Sequence, residues 1–117
     1  MHELSIAETI LEQALRVAAQ ERAAAIARVR VRVGDLSGVD PDALKFAFPI
    51  AARGTVAEGA ALEAIRVPFE VACRRCGAWS RPEPWVPACA ACGSQEVDTV
   101  AGRELRIESL DLCDRRG

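Results

Sequence analysis

Two closely spaced cysteine pairs constrain this chain more than any other feature. Cys73 and Cys76 form one C-x2-C pair, Cys89 and Cys92 form the second, and twelve residues separate the pairs. Two residues between thiolates let one turn direct both sulfurs at one point, and four such donors at about 2.3 Å suit a tetrahedral Zn2+. The glycine after each pair permits a positive φ, so that backbone amides can point at sulfur. The spacing predicts a closed structural zinc site inside a zinc-ribbon lobe.

Three alternatives to zinc can be weighed from the sequence. A pair of disulfides suits secreted chains, and a thioredoxin-like redox motif needs a βαβ context that is missing here. Iron in a rubredoxin-like site stays open, because four thiolates also suit iron. Whichever metal is bound, a closed site has no position for a catalytic water. The predicted role of the site is therefore to stabilise residues 77–98, a stretch poor in apolar side chains.

Length and charge exclude several classes of function. The 117 residues suffice for one modest domain with the zinc lobe as a second unit. With a net charge of −2 and a single lysine, Lys45, the chain offers no basic stripe for nucleic acid. No apolar run approaches the roughly 20 residues of a membrane span, and the first residues lack the basic start of a signal peptide. We therefore expect a cytoplasmic protein.

Helical periodicity begins near the N-terminus. An apolar stripe at three- and four-residue steps predicts a helix from Ser5, and Ser5 with Glu8 matches a capping box. The stripe comprises Ala7, Ile10, Leu11, Ala14, Leu15 and Ala18. The residues before Ser5 are then expected at the tip of a rigid element.

A strand and a second helix follow. Strict alternation of arginine and valine over 28–33 predicts a strand with its valines buried and its arginines solvated, or facing an acidic partner. Asp40 and Pro41 then give a helix N-cap followed by proline at the first helical position. This helix is expected to bury Leu44, Ala47, Phe48 and Ala51. Pro49 is expected to kink or end it, because proline removes a backbone donor.

Two more strands, at 62–71 and 103–112, flank the cysteine region. We expect them to pair as neighbours, so that the chain enters and leaves the zinc lobe side by side. Pro68 indicates an edge or a bulge. Trp79 and Trp85 are expected to cover the zinc site and fill the small core of the lobe. Cys113 is left over as a free thiol.

The first three residues offer a second metal site. The Met1 amine, the His2 amide nitrogen and the His2 Nδ1 lie in sequence along the chain and can form two fused chelate rings. Ni2+ and Cu2+ favour such planar nitrogen sets, and Glu3 can add its amide or its carboxylate. The alternative is an ordinary solvated histidine. Because His2 is the only histidine, no Ser/His/Asp or Cys/His arrangement is expected, and we predict that the chain is not an enzyme.

Several motifs together resemble the HypA/HybF family of nickel metallochaperones for hydrogenase maturation. These motifs are the opening Met1-His2-Glu3-Leu4-Ser5-Ile6, the loop Gly34-Asp35-Leu36-Ser37-Gly38-Val39, the two cysteine pairs and the closing Gly102-Arg103-Glu104-Leu105. They span essentially the whole chain in the family's order and spacing. The second pair has Ala90 where the family often has proline.

The resemblance implies both a fold and a nickel site. The implied fold is α+β, with two helices packed on a three-stranded sheet and an inserted four-cysteine zinc-ribbon lobe. The nickel-binding domain would comprise 1–69 and 101–117, and the zinc-binding domain 70–100. The implied nickel ligands are Met1, His2 and Glu3. In some relatives an acid before the second helix joins them, and Asp40 stands at the matching place, although its role as a helix N-cap is the favoured one.

The implied activity is nickel delivery. The protein would accept Ni2+ as transient cargo and pass it, with a partner GTPase, to the large subunit of a nickel–iron hydrogenase. Some members of the family also serve urease, and whether this chain forms a homodimer stays open. The alternative is a zinc-ribbon interaction or nucleic-acid-binding module, which would be indifferent to the N-terminus and would bind nucleic acid in a salt-sensitive way.

Overall fold

The computed structural model describes residues 2–114, without the His2 side chain. This part of the chain forms two compact units. The first unit comprises 2–32, 39–65 and 106–114, and the second comprises 33–38 and 66–105. The segment 33–38 thus belongs to the cysteine-bearing unit, which local sequence patterns do not indicate. The domain boundaries at residues 70 and 100, which the sequence analysis gives for the zinc-binding domain, stay a prediction.

Helix α1 (His2–Gln20) buries the predicted apolar stripe. Its inward side chains are almost fully buried, while Leu15 is only half-buried. The buried residues of α1 are Ala7, Ile10, Leu11, Ala14 and Ala18. The predicted capping box at Ser5 is wrong, because the helix has begun three residues earlier and the Ser5 carbonyl accepts a hydrogen bond from Thr9 Oγ1. A periodic stripe locates a helix but not its first residue.

Helix α2 (Pro41–Ala52) packs against α1. The predicted N-cap is confirmed, since Asp40 Oδ1 accepts from the amides of Asp42 at 3.0 Å and Ala43 at 3.5 Å. Pro49 does not end the helix, which continues to Ala52. The predicted burial is right for Leu44, Ala47 and Phe48, but Ala52 rather than Ala51 completes the buried face.

The first sheet has three strands in the order β2 (Ala61–Val67), β1 (Ala25–Gly34), β6 (Leu105–Cys113). The predicted alternation along β1 is confirmed, with Val29, Val31 and Val33 buried. The arginines between them pair within the sheet: Arg28 with Glu63 at 3.0 Å, Arg30 with Asp111 at 2.9 Å, and Arg32 with Glu108 at 2.8 Å. Acids of the neighbouring strands thus pair with these arginines, which the sequence alone does not indicate.

The predicted pairing of the strands at 62–71 and 103–112 is wrong. In the first sheet β1 lies between β2 and β6, so these two strands are its edges. Pro68 and Phe69 also divide the predicted second strand into β2 and β3 (Glu70–Cys73), since proline cannot donate to a strand ladder. The segments that enter and leave the cysteine region do run side by side, but as β3 and β5 (Val97–Ala101).

The second sheet has the order β4 (Trp79–Ser80), β3, β5, and both pairings are antiparallel. Together the elements give the predicted α+β class, with two helices and a three-stranded sheet accompanied by a four-cysteine lobe. Among residues 2–114, no helix is long and apolar enough to span a membrane.

Three backbone segments of the second unit approach one another closely around Gly34 and Gly102. Its amide donates to the Glu104 carbonyl at 2.7 Å, and the Leu36 amide donates to the Gly102 carbonyl at 2.6 Å. A Cβ on Gly34 would lie 2.1 Å from the Gly102 carbonyl oxygen. Gly102 itself has φ +118°, and a Cβ there would lie 2.7 Å from the Phe69 Cα. Only glycine therefore fits at this crossing.

Gly34→Ala is expected to destabilise the zinc-loaded protein by about 3 kcal/mol, because backbone atoms must move to admit a methyl group. Denaturant-induced unfolding measures the change. The matched control is Gly38→Ala, because a Cβ added at Gly38 would meet no other atom although the backbone φ there is +78°. This variant should lose about 1 kcal/mol of stability. Equal losses for the two variants would show that the contact with Gly102 contributes nothing.

Candidate metal sites

The four predicted cysteines come together in the second unit. Their sulfur atoms all lie within 4.8 Å of one another, and all four cysteines are free thiols rather than disulfides. Cys73 Sγ lies 3.7 Å from Cys92 Sγ, and Cys76 Sγ lies 3.6 Å from Cys89 Sγ. A tetrahedron of sulfurs around Zn2+ has edges of about 3.8 Å when each bond is about 2.3 Å. The cluster therefore has the dimensions of a four-thiolate metal site.

Each cysteine pair folds as the same small knuckle. In the first, the amides of Arg75 and Cys76 point at Cys73 Sγ at 3.3 and 3.4 Å. In the second, Cys89 Sγ receives the corresponding amides, Ala91 at 3.3 Å and Cys92 at 3.4 Å. The following glycines adopt the positive φ that their positions predict, +77° and +80°. Both knuckles thus direct N–H dipoles at the first sulfur of the pair.

These dipoles change the acidity of the thiols. Hydrogen bonds from the amides, chiefly that of Cys92, lower the pKa of Cys89 to about 6. The corresponding amides, chiefly that of Cys76, also lower the pKa of Cys73. The Ala78 amide favours the Cys76 thiolate, but the neighbouring Cys89 sulfur and burial outweigh it and raise the pKa of Cys76 to about 11. One sulfur per knuckle is thus prepared as a thiolate, the form that binds metal.

The two tryptophans do not fill the core of the lobe as predicted. Trp79 is 66% exposed and Trp85 is 49% exposed. The buried hydrophobic residues of the second unit are instead Val33, Val67, Phe69, Val71 and the two cysteines Cys73 and Cys89. A lobe this small needs few apolar side chains when a metal can hold it together.

At the other candidate site, the structure describes only part of the predicted ligand set. Met1 lies outside the described residues, and for His2 only the backbone is described, as the first residue of α1. Glu3 lies in the first turn of α1. Its pKa is lowered by hydrogen bonds from its own backbone amide and from the amide of Asp40.

The structure thus brings Glu3 and Asp40 together, although they lie far apart in the sequence. The sequence alone gives no sign of this contact, because it depends on how the N-terminus of α1 meets the loop before α2. Both described hydrogen bonds to the Asp40 carboxylate use Oδ1. Among the described residues no hydrogen bond to Oδ2 is seen. Cys113, the remaining cysteine, is a half-buried free thiol at the end of β6.

Comparison with known proteins gives a consistent set of matches. A family model described as "Hydrogenase/urease nickel incorporation, metallochaperone, hypA" matches residues 1–112. The "Hydrogenase maturation factor HypA" of Acidithiobacillus ferrooxidans is 38% identical over 96% of this chain and 99% of that protein. The protein of the same name from Streptomyces avermitilis is 42% identical over 99% of this chain and 90% of its own length.

Solved structures agree with these matches. The solution structure of the Ni metallochaperone HypA from Helicobacter pylori superposes with a TM-score of 0.69 at 25% identity, over 97% of this chain and 98% of that one. A second solution structure, of a HypA protein, gives a TM-score of 0.74 at 26% identity, over 98% of both chains.

Proposed function

Because the chain belongs to the HypA family of nickel incorporation metallochaperones, we propose that it carries Ni2+ at its N-terminus and delivers it to a nickel–iron hydrogenase. Family membership makes it a nickel metallochaperone of hydrogenase maturation, as the sequence motifs predict. Nothing in the comparisons supports the alternative of a nucleic-acid-binding zinc ribbon. The observation that carries the proposal is the family match over residues 1–112, which includes every proposed ligand.

The proposed nickel ligands are the Met1 amine, the His2 amide and Nδ1, and Glu3. The position of His2 as the first residue of α1 supports this set. The first four N–H groups of a helix have no carbonyl partner within it, so a metal can displace the His2 amide proton without breaking a helical hydrogen bond. The positive end of the helix dipole opposes a cation by only about 0.3–1 kcal/mol, which favours release without preventing binding.

Asp40 is proposed as a further nickel ligand. Its Oδ1 caps α2, while Oδ2 takes part in no hydrogen bond described for residues 2–114. The amide of Asp40 also donates to the Glu3 carboxylate, which holds the two acids at the same place. One carboxylate can therefore cap the helix with one oxygen and reach a metal with the other.

Asp40→Asn is expected to weaken Ni2+ binding by about tenfold while leaving α2 intact, since asparagine caps a helix as well as aspartate does. Calorimetric titration of the zinc-loaded protein measures the affinity, and thermal unfolding measures the helix. Asp40→Ala should show the same loss of affinity with an additional destabilisation of about 1 kcal/mol. Unchanged nickel affinity in the Asn variant would leave Asp40 with the capping role alone.

For the cysteine cluster we propose a structural Zn2+. Four thiolates at tetrahedral spacing leave no coordination position for a substrate or a water, so the cluster supports folding rather than chemistry. Together with an N-terminal site for a transient cargo, this supports a carrier protein rather than an enzyme. Visible absorption of the purified protein would distinguish iron from zinc, because Zn2+ has a filled d shell.

The proposed partners are a hydrogenase maturation GTPase and the hydrogenase large subunit, together with urease maturation proteins, since the family description names urease beside hydrogenase. A homodimer is a further proposed assembly, and the proposed location is the cytoplasm. The experiment that tests the nickel site is a calorimetric Ni2+ titration of the zinc-loaded protein. We expect one nickel per chain, and its binding should require the free amine of Met1.

A further inference from the structure

Asp35 holds an arginine side chain at the surface of the second unit. The Asp35 side chain is only 7% exposed, whereas the Arg66 side chain is 63% exposed. Arg66 Nε donates to Asp35 Oδ1 at 2.8 Å and Nη2 donates to Oδ2 at 2.7 Å, while the Phe69 amide donates to Oδ2 at 3.1 Å. This paired contact fixes the plane of the guanidinium, and the hydrogen bonds from Arg66 lower the pKa of Asp35.

The contact uses one of the two edges by which a guanidinium can bind a carboxylate. Asp35 takes the Nε and Nη2 edge, and the hydrogen bonds described for residues 2–114 leave Nη1 unused. The edge formed by Nη1 and Nη2 is therefore available to a second carboxylate. An arginine whose orientation is already fixed loses less side-chain entropy on binding a ligand than a mobile one.

This arginine lines a surface pocket of about 270 Å³ in the second unit. The apolar part of its lining is Pro68, Phe69, Pro82 and Trp85, and the charged part is Asp35, Arg66, Arg81 and Glu83. Arg81 is held only loosely, with its Nε 3.9 Å from Glu70 Oε2. Two arginines and two acids thus lie beside a half-exposed tryptophan, and of the arginines only Arg66 is held in a close paired contact.

We propose that this pocket binds a carboxylate side chain of an acidic segment on a protein partner, with Arg66 and Arg81 as its cationic contacts and Trp85 as its apolar wall. The volume is below the roughly 300–1,000 Å³ of small-molecule sites, which suits one side chain rather than a whole cofactor. The exposed Val86 beside Trp85 extends the apolar surface that a peptide would cover.

Glu83 limits the charge of the anion that the pocket can hold. Its carboxylate opposes any anion, and after the hydrogen bonds to Asp35 it also helps to raise the pKa of Arg66. A nucleic acid brings several phosphates, each of which a binding protein must neutralise, whereas a single carboxylate needs only the Nη1 and Nη2 edge of Arg66 and the loosely held Arg81. The proposal rests on residues of the second unit and does not depend on the proposed nickel ligands.

The test uses full-length, zinc-loaded protein carrying Trp79→Phe, which leaves Trp85 as the only fluorescent indole. The probe is a soluble hexapeptide of glutamate, leucine and proline with blocked ends, and its matched control has glutamine in place of glutamate. We expect a saturable change in the fluorescence emission of Trp85 with the glutamate peptide and no change with the glutamine peptide. Equal responses to the two peptides would overturn the proposal.

Three variants in the same background locate the binding. Arg81→Gln should weaken the glutamate peptide by about fivefold or more, and Glu83→Gln should strengthen it by about threefold. Arg75→Gln is the matched control, because Arg75 is exposed, pairs loosely with Glu96 at 3.7 Å and does not line the pocket. None of these side chains bonds to Asp35, so the fold at Gly34 is not at risk.

If Arg75→Gln and Arg81→Gln weakened binding of the glutamate peptide equally, the binding would reflect the overall charge of the protein, and the proposed site would be wrong. Free succinate binding as tightly as the peptide would overturn the assignment to a peptide segment. Sedimentation at increasing protein concentration adds an independent check. Self-association that Arg81→Gln abolishes would show that a second copy, and not another acidic partner, occupies the pocket.

Discussion

Adding one glycine before Met1 is expected to lower the Ni2+ affinity of the zinc-loaded protein by at least about a hundredfold, roughly 2.7 kcal/mol. In the proposed chelate the amine, the next amide nitrogen and the imidazole Nδ1 are consecutive donors, so that five- and six-membered rings share the metal. The extension keeps His2, Glu3 and helix α1 but moves the amine one residue away. Calorimetry of the native and extended proteins measures the difference directly.

Two controls separate this effect from a general one. A glycine added after Gly117 changes the mass equally and should leave nickel binding unaltered. His2→Ala should lose affinity as strongly as the N-terminal extension, because it removes the imidazole and keeps the amine. Mass spectrometry of each protein verifies that Met1 is retained, and zinc analysis verifies that nickel has not displaced Zn2+ from the cysteines.

Equal nickel binding by the native and extended proteins would contradict the proposed site. Met1 and His2 would then be ordinary surface residues, and the nickel ligands would have to be sought elsewhere in the chain. Family membership would still stand, because it rests on the match over residues 1–112 and not on this geometry.

The sequence predicts well what short-range chemistry determines. The cysteine knuckles need only four residues each and a following glycine, so their convergence follows from spacing. Alternation along β1 and the N-cap at Asp40 are equally local, and both are found in the structure. The class of fold and the family follow because these local signals occur in a specific order along the chain.

Features that depend on contacts between distant parts of the chain could not be predicted from local sequence patterns. The order of the first sheet places β1 between β2 and β6, and no local pattern distinguishes this order from the pairing of its edges. The contact of Glu3 with the Asp40 amide and the crossing of Gly34 with Gly102 likewise join remote segments. The exposure of Trp79 and Trp85 runs against the tendency of aromatic residues to be buried, and a four-cysteine cluster lies where an apolar core was expected.

Because the second unit depends on its cysteine cluster, Cys89→Ser is the substitution with the largest expected effect on folding. Cys89 is buried, receives two amide hydrogen bonds and has a lowered pKa, so a serine there loses the thiolate best prepared for metal. Zinc binding contributes about 10–16 kcal/mol to folding in small zinc peptides. We expect the variant to lose bound zinc and the second unit to lose its amide protection.

The matched control is Cys113→Ser, because Cys113 is a free thiol that lies outside the cluster. It should retain one zinc per chain and unchanged hydrogen exchange. In Cys89→Ser, fast exchange is expected at β3 and β5, whereas α1 and the buried half of β1 should stay protected, since their core consists of side chains of the first unit. A Cys89→Ser protein that kept its zinc and its protection would show that three thiolates suffice, and that the cluster is not the closed structural site proposed.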